Sequence, residues 1–197
     1  MSSRDAFLAR VRAAQPAAVA LPDVPLFATP EGDRVERFIS GLAIYGGECV
    51  RVSSVEQARE AIYTKFGADV ALCSVVDSIP GTRALPADTP PASLHDVDVA
   101  VVAARFGVAE TGSVWLSETE YRVNAVGYLA QHLVVLLDES KIVDGLQDAY
   151  RRDDFANARY AALVTGPSAT ADIEGVLVRG AQGVRSLIVM LVRDSVA

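Results

Sequence analysis

Apolar positions along this chain follow two alternating spacings, one that fits helices and one that fits buried strands. Residues 4–14 put Phe7, Leu8 and Val11 on one face and predict a short N-terminal helix. Pro16, Pro22, Pro25 and Pro30 punctuate a connecting segment that cannot continue it. Val35, Phe38, Ile39 and Leu42 share the buried face of a helix over 32–45, which Gly46 and Gly47 end. From there strand and helix alternate. Residues 48–52 read as a strand, and the Ser53-Ser54-Val55-Glu56 string has capping-box spacing, starting a helix that reaches Lys65. Residues 69–76 and 97–104 are almost continuously apolar, as parallel strands covered on both faces are. A loop carrying Pro80, Pro86, Pro90 and Pro91 separates them.

The second half keeps the apolar strands at tighter spacing. Strands over 113–117, 132–137, 160–165 and 187–192 alternate with helices over 123–131 and 139–152. The second of those helices carries Ile142, Val143, Leu146 and Tyr150 on its apolar side. This pattern predicts an α/β fold, one mostly parallel sheet with flanking helices. Residues 1–30 form a helical arm and proline-rich connector, and residues 31–197 a single α/β domain.

Composition then narrows the function classes. The 197 residues are 51% apolar and 22% charged, which suits a globular domain with a real core. With 18 basic against 25 acidic residues the net charge is -7, so a phosphate-neutralising nucleic-acid binder is excluded. Two cysteines and two histidines cannot build a four-cysteine zinc or iron–sulfur site. Cys49 and Cys73 read as reduced thiols of a cytoplasmic protein. The N-terminus lacks the apolar core of a secretory signal. No apolar run approaches the ~20 residues of a membrane span.

Three segments carry candidate chemistry. The first, over 104–113, joins two strands and contains Gly107, Glu110, Thr111, Gly112 and Ser113. Ligands of open α/β sheets sit at the carboxyl ends of strands, where Glu110 would serve as nucleophile or general base. Equally, it is a turn whose glycines supply positive φ and whose glutamate caps a neighbour. The second, over 164–174, reads as a hydroxyl-rich loop with Thr165, Gly166, Ser168 and Thr170, followed by Asp172 and Glu174. A helix start after such a loop binds anions, and the two carboxylates then either meet ligand hydroxyls or cap that helix. It is no P-loop, since Lys65 and Lys141 are the only lysines. The third, over 179–185, is a tight turn with Gln182, Gly183 and Arg185. An arginine there either meets a carboxylate bidentately or stays solvated. Neither His95 nor His132 has a metal-spaced partner.

Taken in order, Phe106-Gly107-Val108-Ala109-Glu110-Thr111-Gly112-Ser113-Val114-Trp115, Ala130-Gln131-His132-Leu133-Val134-Val135 and Thr165-Gly166-Pro167-Ser168-Ala169-Thr170-Ala171-Asp172-Ile173-Glu174 resemble the LUD-domain family. The match is best to its lactate-utilisation C type and extends over about 97–193. The resemblance implies a fold similar to the ribose-phosphate isomerase, glucosamine-phosphate deaminase and CoA-transferase group. It implies an accessory role in oxidising L-lactate to pyruvate beside iron–sulfur partner proteins, which would hold the clusters, with no cofactor in this chain. It also implies a small carboxylate or phosphorylated ligand on the three segments. One departure stands out: Gln182-Gly183-Val184 replaces the usual histidine before glycine and proline after it. The alternative comes from Glu110-Thr111-Gly112, which is similar to the Glu-Asn-Gly string of CoA-transferases. There the glutamate forms an acyl and then a CoA ester.

Overall fold

The computed structural model describes the chain except residues 1, 21, 24, 28–30, 174–175 and 194–197, and the side chains of 171–173. The helices and strands run α1 (Ser3–Ala13), α2 (Arg34–Ile44), β1 (Glu48–Val52), α3 (Val55–Phe66), β2 (Leu72–Ser74) and β3 (Val99–Ala103). Then come β4 (Phe106–Val108), β5 (Ser113–Ser117), α4 (Glu118–Tyr121), α5 (Val126–Leu129), β6 (His132–Asp138) and β7 (Ile142–Val143). The chain closes with α6 (Leu146–Tyr150), α7 (Asp154–Asn157), β8 (Ala161–Val164), β9 (Ala169–Ile173), β10 (Val176–Arg179) and β11 (Ser186–Val192).

The most apolar runs lie at the centre. A five-stranded, all-parallel sheet has the order β1-β11-β6-β3-β2, with β11 and β6 paired along their whole lengths from Ser186↔His132 to Val192↔Asp138. Because side chains alternate along a strand, β6 sends Leu133, Val135 and Leu137 to one face and Val134 and Leu136 to the other. The second face packs under Ala58 and Ile62 of α3. The first meets α2 through Phe38 and Leu42, together with Val114 and Leu116 of β5. Both faces are therefore dry, which is why these strands read as continuous apolar runs.

A second sheet was not expected from the sequence. Its order is β7-β4-β5-β8, with β4–β5 and β5–β8 antiparallel and β4–β7 parallel. One face packs on the main sheet. The other buries Phe106, Val108 and Trp115 against Ala149 and Phe155. A two-stranded ribbon of β9 and β10 completes the fold.

Several elements differ from expectation. Residues 139–152 do not form one helix: Ile142 and Val143 pair with Gly107 and Val108 as β7, and the helix is confined to Leu146–Tyr150. Their β-branched side chains fit a strand better than the helix their spacing suggested. The predicted helix over 123–131 is a single turn, Val126–Leu129, and the strand over 69–76 shortens to Leu72–Ser74. No helix follows the 165–168 turn; β9 begins there instead. The reciprocal cap at α3 lies one residue along from the expected one: Ser54 Oγ accepts from Gln57 N–H while Gln57 Oε1 accepts from Ser53 N–H. The N-terminal helix forms, with Ser2 and Asp5 as its capping box, but buries none of its residues. Cys49 and Cys73 are free thiols. Among the described residues no helix is long and apolar enough to cross a membrane.

Candidate functional site

The first and second candidate segments meet because of a strand pairing. β8 runs antiparallel to β5, with Val164 opposite Val114, so the chain leaves both strands side by side. Ser113 Oγ and Thr165 Oγ1 lie 2.5 Å apart, and Thr111 Oγ1 lies 2.6 Å from Ser113 Oγ. Gly166 then turns with φ +65° against the C-terminal end of α2. A Cβ there would fall 2.3 Å from Tyr45 O, so no other residue fits without moving the backbone. Beyond it, Ser168 N–H donates to Val184 O at 3.0 Å and Gly180 N–H donates to Ser168 O at 2.8 Å. These bonds lay the 179–185 turn against the 165–168 turn.

The product is a cleft of about 410 Å³. Thr165, Gly166, Ser168, Gln182 and Gly183 line it, joined by Tyr121 and Tyr128 from the α4–α5 region. Among the described residues, none that lines it carries a formal charge at neutral pH. Burial pushes the Tyr121 hydroxyl pKa well above its usual value, which keeps it a neutral donor. Tyr128 and Tyr160 are hydrogen-bonded through their hydroxyls, and burial raises the Tyr160 pKa too. Gly127 admits the Tyr121 ring, since a Cβ there would lie 2.2 Å from it. Such a wall can donate to a small oxygen-bearing ligand, and among the described residues it offers no general base and no ionised nucleophile.

Glu110 belongs to a different cleft, of about 640 Å³. The β4–β5 turn is held to β7 by Ala109 N–H donating to Val143 O and Glu110 N–H donating to Asp144 O. The Glu110 carboxylate, through Oε2, accepts Leu146 N–H at 2.9 Å, the first residue of α6. This is a helix cap of the kind the turn reading allowed. Asp33, Asp144 and Asp148 share the cleft wall and are likewise engaged. Asp33 accepts from Val35 and Glu36 N–H, Asp144 pairs with Arg34 and Arg37, and Asp148 accepts from Gly145 N–H.

Of the remaining predicted residues, Gly107, Gly112, Thr170 and Arg185 do not line either cleft. Gly107 is a core position in β4, where a Cβ would meet Leu137 at 2.8 Å and Phe38 at 3.0 Å. Gly112, with φ +64°, lets the turn touch α2: a Cβ would sit 2.0 Å from Leu42 N. Arg185 packs on Gly180 rather than lining the cleft, and its charge helps hold the His132 pKa below the ordinary value, after burial as the larger cause. Thr170 lies on β9 opposite Val178. Asp172 is on β9 with its side chain outside the described residues, and Glu174 is outside them altogether. Tyr128 escaped the sequence reading inside the predicted helix over 123–131, and Tyr121 in the connection before it. Gly127 between them was the available signal. Among the described residues, no group of three or more His, Cys, Asp or Glu is arranged to hold a metal ion.

Comparison with known proteins adds a family and a fold. The family model described as the LUD domain matches residues 92–192, a span that contains all three candidate segments. A crystal structure of a DUF162 family protein from Deinococcus radiodurans superposes with a TM-score of 0.61. It shares 19% identity, covering 82% of this chain and 99% of that one, which speaks for the fold alone. No curated protein matches the chain at a significant level.

Proposed function

This chain belongs to the LUD-domain family, and on that premise we propose that it is an accessory, ligand-binding component of an L-lactate utilisation system. It is of the lactate-utilisation C type and works in the cytoplasm beside iron–sulfur partner proteins, which carry the electrons. The observation that supports this reading is the convergence of Thr165, Ser168 and Gln182 on one cleft of about 410 Å³ whose described lining is uncharged. Neutral hydroxyl and amide donors suit reversible binding of a small hydroxy- or oxo-carboxylate. Gln182, where the family usually has histidine, donates and accepts hydrogen bonds but does not titrate near neutral pH, which fits binding rather than proton transfer. The acyl-transfer alternative draws less support. Glu110 is occupied at α6, and three aspartates share its cleft, where they would repel the phosphates of CoA.

A thermal-shift comparison of L-lactate, pyruvate, other carboxylates, CoA thioesters and sugar phosphates tests the reading. A bound ligand at 100 times its dissociation constant adds ~2.7 kcal/mol of stability. L-lactate or pyruvate should raise the midpoint, and Ser168→Ala or Gln182→Ala should abolish the rise. A response only to CoA thioesters, or unchanged growth on L-lactate after gene deletion, would refute it.

A further inference from the structure

The N-terminal helix has the features of a docked element but no dock. Ser2 and Asp5 form its capping box, yet Phe7 is 60% and Val11 44% exposed. An isolated helix of this length is marginal in water, so its apolar side calls for a partner surface. Its charge is also unlike that of the rest of the chain: Arg4, Arg10 and Arg12 stand against the single acid Asp5, in a protein of net charge -7.

The cleft of about 640 Å³ is the complementary surface. Ala109 and Gly41 line it, and Ile44 and Phe27 stand on its wall with 78% and 70% of their surface in solvent. Carboxylates of Asp33, Glu36, Glu110, Asp144 and Asp148 surround these apolar positions. Arg37, the single lining cation among the described residues, is paired with Asp144. An apolar floor with an acidic rim matches a helix with an apolar stripe and three arginines.

We propose that α1 of a second copy of this chain seats in this cleft, its arginines on the acidic rim and Phe7 and Val11 on Ile44 and Phe27, in a reciprocal arm exchange. Among the described residues α1 buries none of its own side chains, and the sequence between Ala14 and Gly32 contains Pro16, Pro22 and Pro25, which limit how the chain can turn back. A two-fold arrangement seats two arms per dimer and so doubles the area that one short helix buries. The proposal is independent of the ligand cleft and of the lactate role.

Charge-swapped full-length chains test it by sedimentation velocity across the micromolar range. Arg4→Glu with Arg12→Glu reverses the arm; the first favours and the second disfavours its own helix end, so α1 is left near its original stability. Glu36→Lys with Gln147→Lys, at exposed or half-buried positions, takes the rim from a net charge of -4 to -1. Wild type should dimerise, more weakly as salt rises. Each variant alone should dimerise more weakly by about tenfold or more. Mixing the two should recover association relative to either alone, because the unaltered arm then meets an unaltered rim and the acidic arm meets the rim that carries the introduced lysines. Deleting residues 2–14 should leave a folded monomer. A wild type that stays monomeric, a dimer that survives arm deletion, or a mixture that fails to recover association would each overturn the proposal.

Discussion

Replacing Glu110 by Gln separates a structural carboxylate from a catalytic one. Glu110 Oε2 takes Leu146 N–H at 2.9 Å; Asp148 of α6 takes the N–H of the N-cap Gly145, which has no side chain to serve the first turn itself. Glutamine keeps an acceptor oxygen at that reach and loses only the negative charge. A charge at an exposed helix N-terminus contributes about 0.3–1 kcal/mol. That loss is partly offset, because Asp33, Asp144 and Asp148 share the cleft and repel the charge removed. The expected change in unfolding free energy for Glu110→Gln is therefore under about 1 kcal/mol. Glu110→Ala removes the acceptor as well and should cost about 1 kcal/mol. Urea midpoints at constant slope measure both. Ligand affinity in the Thr165–Gln182 cleft and growth on L-lactate should not change. An acyl adduct on the wild type after incubation with acyl-CoA, absent from Glu110→Gln by intact mass, would refute the capping argument. So would loss of lactate-dependent growth in a Glu110→Gln strain whose protein remains folded.

Three further outcomes follow from the same structure. Gly112→Ala combines a positive φ with a Cβ 2.0 Å from the Leu42 backbone nitrogen, so α2 must move; the expected cost is about 3 kcal/mol or more by urea unfolding. Burial and the charge of Arg185 hold the His132 pKa below its usual value, so the unfolded chain binds the proton first. Stability should therefore be complete above about pH 6.5 and fall as pH drops below it; His132→Gln should flatten that decline, and an unchanged slope would contradict it. Burial pushes the Cys49 pKa up to about 11, so its alkylation by iodoacetamide should run roughly 10²-fold slower than that of a free thiol at pH 8; a rate equal to the free thiol's would show that the side chain is open to water.

The inner strands of the main sheet were legible because each is buried on both faces: 97–104, 132–137 and 187–192 carry apolar residues at nearly every position, while the edge strand 48–52 keeps Glu48 and Arg51 exposed. The second sheet hid behind its own composition. β4 is three residues with a central glycine, and β7 is the pair Ile142-Val143, whose spacing to Leu146 also fits a helix. β9 hid for the opposite reason: small residues over 169–171 give little apolar signal, and the strand read as a loop. The site residues were legible as types, hydroxyls and glycines next to strand ends, but not as neighbours. Ser113 and Thr165 are 52 positions apart, and what joins them is the antiparallel pairing of β5 with β8. A slip of one residue in that register would turn Thr165 to the opposite face and break its bond to Ser113. The same register leads the chain through Gly166, where only glycine clears Tyr45 O, into the bonds that hold Ser168 beside Val184. The ligand cleft is thus a consequence of one strand pairing, and Glu110 lies outside it because the β4–β5 turn is tied to β7 instead.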